Sequence, residues 1–158
     1  MNLCHSRATG ALLALALLAC GGFAQTASAR LGGDAASVQE DSARFVGKLV
    51  STAMVQYDRH DITTSSGTVV HEYLSRAGRI FAVSWKGPLP PDLHQLFGDY
   101  FQTLSSAAAA HSQPGSHRQL NVVRDDFVAQ SSGHLRAFQG RAYVPSLVPA
   151  GVDVSELQ

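Results

Sequence analysis

Three strand-length runs rich in β-branched and aromatic residues follow one another with almost nothing between them. They are Met54 to Thr63 (MVQYDRHDIT), Thr68 to Ser75 (TVVHEYLS) and Arg79 to Trp85 (RIFAVSW). The joints are Ser65-Ser66-Gly67 and Arg76-Ala77-Gly78. Short glycine-containing joints between such runs predict consecutive antiparallel hairpins, a three-strand meander. In the second run Val69 and Tyr73 flank His71 on one face, and Val70 and Leu74 flank Glu72 on the other. In the third, Phe81, Val83 and Trp85 oppose Ile80, Ala82 and Ser84, so both faces are apolar, as a central strand requires.

The segments around the meander complete a fold class. Gly87-Pro88-Leu89-Pro90-Pro91 stops the third strand, and Pro91-Asp92 opens a helix. Leu93, Leu96, Phe97, Tyr100, Phe101 and Leu104 form one apolar stripe, with His94, Gln95, Asp99 and Gln102 opposite. This predicts a single amphipathic helix laid over the sheet. Residues 105–117 (SSAAAAHSQPGSH) read as a mobile loop whose alanines extend the helix by at most a turn. Two further strands, Leu120 to Gln130 and Leu135 to Pro145, are expected across Ser131-Ser132-Gly133-His134. Gly140 and Pro145 suggest that the last strand lies at an edge. Upstream, residues 30–44 read as a flexible lead-in with a short helix that opens at the capping box Ser37 to Glu40. That helix is expected to run to about Leu49 through Val38, Phe45 and Val46. Asp153 to Glu156 offers one more helical turn. The expected fold is α+β: an antiparallel sheet of about five strands (three-strand meander, amphipathic helix, two-strand hairpin) with the helix on one face. Residues 45–158 form the single domain.

Residues 1–29 read differently. Arg7 is their one charged side chain, Ala11 to Cys20 (ALLALALLAC) is continuously apolar, and Ala27-Ser28-Ala29 is an A-x-A site. This is the form of a secretory signal peptide. The apolar stretch is shorter than the roughly 20 residues that span a bilayer. The expected cut is before Arg30. The alternative is lipidation at Cys20, because Leu17-Leu18-Ala19-Cys20 resembles a lipobox, with Leu18 a weaker fit than a small or β-branched residue. Both cysteines, Cys4 and Cys20, precede Arg30, so the expected mature chain has no thiol and must be held by packing alone. Setting Arg7 aside leaves 11 Lys+Arg against 12 Asp+Glu. That balance offers no general attraction to nucleic acid or anionic lipid.

The chain resembles a family of small exported bacterial proteins known as a domain of unknown function. The resemblance lies in LGGDAASV (from Leu31), GTVVHEYLS (from Gly67), IFAVSWKGP followed by PDL (Ile80 to Leu93), LFGDYF (from Leu96) and SGHLRAFQGRAYVPSLVPAGV (from Ser132). It extends over nearly all of residues 30–158. It implies a secretory signal and one domain, and it brings no activity, ligand or catalytic residue.

Candidate chemistry is sparse. His60, His71, His94, His111, His117 and His134 make none of the i, i+2 or i, i+4 pairs by which metal sites declare themselves. Asp58-Arg59-His60-Asp61 and His71-Glu72-Tyr73 are expected side by side on adjacent strands, with their charges on one solvent-facing surface. Charge pairing across strands is the simplest role for them. His60, Asp61, His71 and Glu72 are the residues on which a small hydrolase would draw. No nucleophile elbow, phosphate loop or H-E-x-x-H motif accompanies them. Arg136, Phe138, Arg141 and Tyr143 resemble a base-stacking strand only in composition. No catalytic, cofactor-binding or metal-ligating residue is therefore assigned, and no cofactor. The expectation is an exported, non-catalytic module that binds an envelope protein or peptide, docked at the last strand. The alternatives are a small envelope hydrolase and an envelope lipoprotein. Intact-mass measurement of exported material should show an N-terminus at Arg30 without lipid; an acylated Cys20 would instead mean a membrane-anchored product.

Overall fold

The structure, a computed structural model, describes residues 31–110 and 119–158. The leader, the cut before Arg30, Cys4, Cys20, His111 and His117 lie outside the described residues. The order is α1 (Ala35–Arg44), β1 (Lys48–Ala53), β2 (Tyr57–Thr63), β3 (Val69–Ser75), β4 (Ile80–Gly87), α2 (Leu93–Phe97), α3 (Tyr100–Ala110), β5 (Gln119–Val123), β6 (Val128–His134) and β7 (Ala137–Tyr143). All strands pair antiparallel in one sheet, in the order β1-β2-β3-β4-β7-β6-β5.

The α+β class matches the expectation, and the strand count does not: seven instead of about five. The meander has a fourth strand, β1, which starts at the expected end of the first helix, Lys48 and Leu49, and runs on through residues outside any expected element. That helix begins earlier, because the Asp34 carboxylate accepts the N–H groups of Ala36 and Ser37 at 3.1 Å, and it ends at Arg44. Val46 then takes a positive φ of 48° and turns the chain into β1. The lead-in is built into the fold. Leu31 is buried, its N–H bonds to the Leu96 carbonyl, and Gly32 and Gly33 exchange backbone bonds with Ile80. The run from Leu120 to Gln130 is two strands, because Arg124-Asp125-Asp126 forms a turn closed by Arg124 N–H to the Phe127 carbonyl at 2.9 Å. The next turn falls at Leu135-Arg136, after residues 131–134, which belong to β6.

The predicted amphipathic helix is two helices. Gly98 takes φ 50°, ψ −119°, a conformation open to glycine, and ends α2 after five residues. The stripe survives the break: Leu93, Leu96, Phe97, Tyr100, Phe101 and Leu104 all reach the main core. The alanines of the expected loop continue α3 to Ala110.

Helices α1 to α3 cover one sheet face over Val70, Leu74, Val83, Trp85, Ala129, Ala142 and Val122. The chain after β7 crosses to the other face. Leu147, Val148, Val152, Val154 and Leu157 there pack on Tyr57, Tyr73, Phe81, Ala82 and Tyr143. Phe81 joins this second cluster, and not Val83 and Trp85, because the β3–β4 register shifts at Tyr73/Leu74 and leaves Phe81 as the extra residue of a bulge. The last strand, expected at an edge, lies between β4 and β6. Gly140 serves packing there, since a Cβ on it would come within 2.3 Å of Trp85 Cζ2. The edges are β1 and β5.

Phe97 is fully buried, with its ring 5.8 Å from Trp85 and 5.7 Å from Phe127. Phe97→Ala should cost about 3–5 kcal/mol in denaturant unfolding. A loss under about 1 kcal/mol would show that the helices do not close this core.

Candidate functional site

The sheet pairing distributes the sequence candidates between two environments. His60 lies opposite Glu72, and Asp61 opposite His71. Successive residues of a strand face opposite ways, so these pairs occupy opposite faces and do not form one site. The expected single charged surface is thereby corrected.

His60 and Glu72 lie on the helix side. Glu72 is 1% exposed and Asp41, from α1, is 0% exposed. Burial pushes the Glu72 carboxyl well above its ordinary 4.5, and the adjacent Asp41 carboxyl adds to the rise. Asp41 is also raised, mainly by burial, and is opposed by hydrogen bonds from Glu72 and Gln95. Asp41 accepts from Gln95 Nε2 on α2, and a proton kept on Glu72 relieves the repulsion between the two carboxyls, whose Asp41 Oδ2 and Glu72 Oε2 atoms are buried without a hydrogen-bond partner among the described residues. Gln95, expected on an outer polar face, thus reaches the core through this bond. Burial lowers the pKa of His60, whose Nδ1 lies 2.7 Å from Ser51 Oγ and whose Nε2 is buried without a partner. Two buried carboxylates cannot both ionise at reasonable cost. The Asp41 and Glu72 carboxyls are closed to solvent and, with Gln95, join α1, β3 and α2, while His60 is half-buried.

Asp61 and His71 lie on the other face. His71 Nδ1 is 2.6 Å from Asp61 Oδ1, and Arg59 Nε lies 3.0 Å from the same oxygen. A carboxylate only accepts, so Nδ1 carries the proton and Nε2 is left for a ligand. Ser84 stands directly across from His71 on β4. Asp61, His71 and Ser84 therefore follow the order of a nucleophilic triad on three neighbouring strands. The chemistry is not assembled, however. The Ser84 hydroxyl lies 3.2 Å from the Tyr73 hydroxyl, and Ser84 is paired on both sides, by His71 and Arg141. The backbone N–H groups around Ser84 are committed to ladders, so no backbone oxyanion hole is formed there.

What this face does contain is an open groove of about 710 Å³. Its floor is two rows of polar side chains: Ser84, Arg141, Gln130 and Asn121, then Lys86, Gln139, Ser132 and Gln119. Each residue is the cross-strand partner of the next. His71 closes the first row, and Ser155, Leu157 and Gln158 form a rim. Arg141 is held by Gln130 Oε1 at 3.0 and 2.9 Å and by the carbonyls of Val154 and Ser155 at 3.0 and 3.1 Å. Among the described residues no Asp or Glu lines the groove. A concave surface with convergent, preordered polar groups is the usual form of a binding site.

Sequence reasoning singled out His71 and Asp61 and passed over the carboxamides. The signal was present as polar residues two apart: Ser84/Lys86, Gln119/Asn121, Gln130/Ser132 and Gln139/Arg141. It becomes a site only once the registers align these pairs. His94 packs edge-on against Phe101 at 5.0 Å, and His134 is exposed at the end of β6. Among the described residues no group of three or more His, Cys, Asp or Glu could hold a metal ion, and no helix is long and apolar enough to cross a membrane.

A family model described as "Protein of unknown function (DUF2844)" matches residues 27–157. No curated protein and no solved structure matches the chain.

The raised carboxyls set a pH dependence. A raised folded-state pKa means that the folded state holds a proton that the unfolded chain releases above about 4.5. The stabilisation is therefore complete below that pH and is lost as pH rises towards the folded value. Glu72→Gln should flatten the fall in unfolding free energy between pH 5 and 8, which is at most about 1.4 kcal/mol per pH unit for each proton. The variant should also be the more stable protein at pH 8. Equal slopes in variant and wild type would mean that Glu72 is ionised in the fold.

Proposed function

Since the chain belongs to the DUF2844 family, which brings no activity with it, we propose from its own residues that it is an exported, non-catalytic binding module of the bacterial envelope. The observation that carries this reading is the groove, lined by carboxamides, hydroxyls and a clamped guanidinium, with no Asp or Glu side chain among its described residues. Such groups hold a ligand by directed hydrogen bonds without transforming it. Export rests on residues 1–29, with their apolar run and A-x-A end. An envelope lipoprotein anchored at Cys20 is the variant of this reading in which the same module is tethered.

Docking at the last strand drops out because β7 is paired on both sides. A proline at Ala142, which is fully buried there, would break the sheet and not a docking edge. A small hydrolase retains one supporting observation, the Asp61–His71 pair at 2.6 Å, and lacks a free nucleophile beside it.

Capture of envelope components on the immobilised protein tests the reading. A Gln130→Ala/Gln139→Ala double variant should lose captured material by at least about tenfold, the value of one or two lost hydrogen bonds. Its thermal midpoint should stay close to wild type, and His60→Ala should capture normally. Undiminished capture by the double variant would move binding off this face. Turnover of an envelope substrate that vanishes in His71→Ala would favour the hydrolase.

A further inference from the structure

Four cationic or donor side chains converge at one end of the groove. His71 on β3, Ser84 on β4 and Arg141 on β7 stand in one row, and Lys86 lies two residues along β4 on the same face. All four line the groove. Neither Arg141 nor Lys86 forms an ion pair with an acidic side chain among the described residues. Arg141 makes four hydrogen bonds, every one to a neutral oxygen, which leaves one of its five N–H groups. Lys86 has no ion-pair partner among the described residues. Asp153, an acid near Arg141, is bound into its own turn by Ser155 N at 2.8 Å and Ser155 Oγ at 2.6 Å. Asp61 lies behind His71, on its Nδ1 side, and is shared with Arg59.

We infer that this corner binds the carboxylate of an acidic saccharide whose hydroxyls lie along the carboxamide rows. The inference rests on the groove reading above and gives it a ligand class. One free guanidinium N–H and one ammonium offer two charged donors, which match the two oxygens of a carboxylate. A phosphate would keep a third charged oxygen without such a partner. His71 Nε2, the ring nitrogen not bonded to Asp61, meets a ligand hydroxyl. Gln119, Asn121, Gln130 and Gln139 each donate and accept, as sugar hydroxyls do. From β3 to β5 the groove crosses four strand spacings of about 4.8 Å, or roughly 19 Å, so it suits a short oligosaccharide.

The test is an amide-shift titration of the ¹⁵N-labelled protein with three probes: tetragalacturonate, its fully methyl-esterified neutral form, and tetraglutamate. Tetragalacturonate should give saturable shifts at Ser84, Lys86, Gln130, Gln139 and Arg141. The ester should bind about tenfold more weakly or worse, as should Lys86→Ala with the acid form, while Lys86→Arg should retain binding. Lys86 is exposed, so these variants leave the fold in place. Equal binding of the ester would overturn the carboxylate inference and keep the groove as a saccharide site. Equal binding of tetraglutamate would overturn the saccharide assignment in favour of an acidic peptide. No groove shifts with any probe would overturn this inference, while the groove itself stands or falls on the capture experiment.

Discussion

Six residue pairs between β4 and β7, from Ala82–Tyr143 to Gly87–Phe138, make one sheet out of two meanders. Everything else about the molecule follows from that junction. It closes a loop of more than fifty residues, an entropic cost met by placing β4 where both of its faces are buried. It also brings Gly140 against Trp85, where any larger residue would push the strands apart. Because side chains alternate with a period of two, this one register decides which polar residues of the second meander line up with which of the first.

The two faces are then stabilised by different means. The helix face buries apolar side chains and, among them, the Asp41–Glu72 pair. With Glu72 pushed towards its protonated form by burial and Asp41 bonded to Gln95, these side chains link α1, β3 and α2 at a defined position, where apolar contact alone leaves helices free to slide. Its stabilisation is greatest in mildly acidic surroundings. His60, whose pKa is lowered by burial, acts oppositely, since its stabilising contribution is lost as pH falls below its ordinary value.

The opposite face is only half covered. The C-terminal segment packs on the aromatic cluster around Tyr73 and Phe81 and stops at the groove, supplying its rim and the carbonyls that hold Arg141. One segment thus caps a core and orders one wall of the groove. A guanidinium fixed by neutral acceptors keeps its charge available and has little rotamer entropy left to lose on binding.

Much of the architecture was legible in the chain. The glycine joints at Gly67 and Gly78, the two-sided character of β4 and the apolar stripe from Leu93 to Leu104 all depend on local chemistry. So does the α+β class. The edges of elements were less legible, because Gly98 and the Arg124–Phe127 turn break patterns that a period count reads straight through. The site was not legible. Gln130, Gln139 and Lys86 are unremarkable residues in their own strands, and His60, Asp61, His71 and Glu72 look like one cluster in sequence. Strand pairing separated those four into a buried acid–imidazole side and an open side, and it set Ser84 beside Arg141 across more than fifty residues. A pattern of period two fixes which residues share a face within a strand; only long-range register decides which strands, and hence which faces, meet.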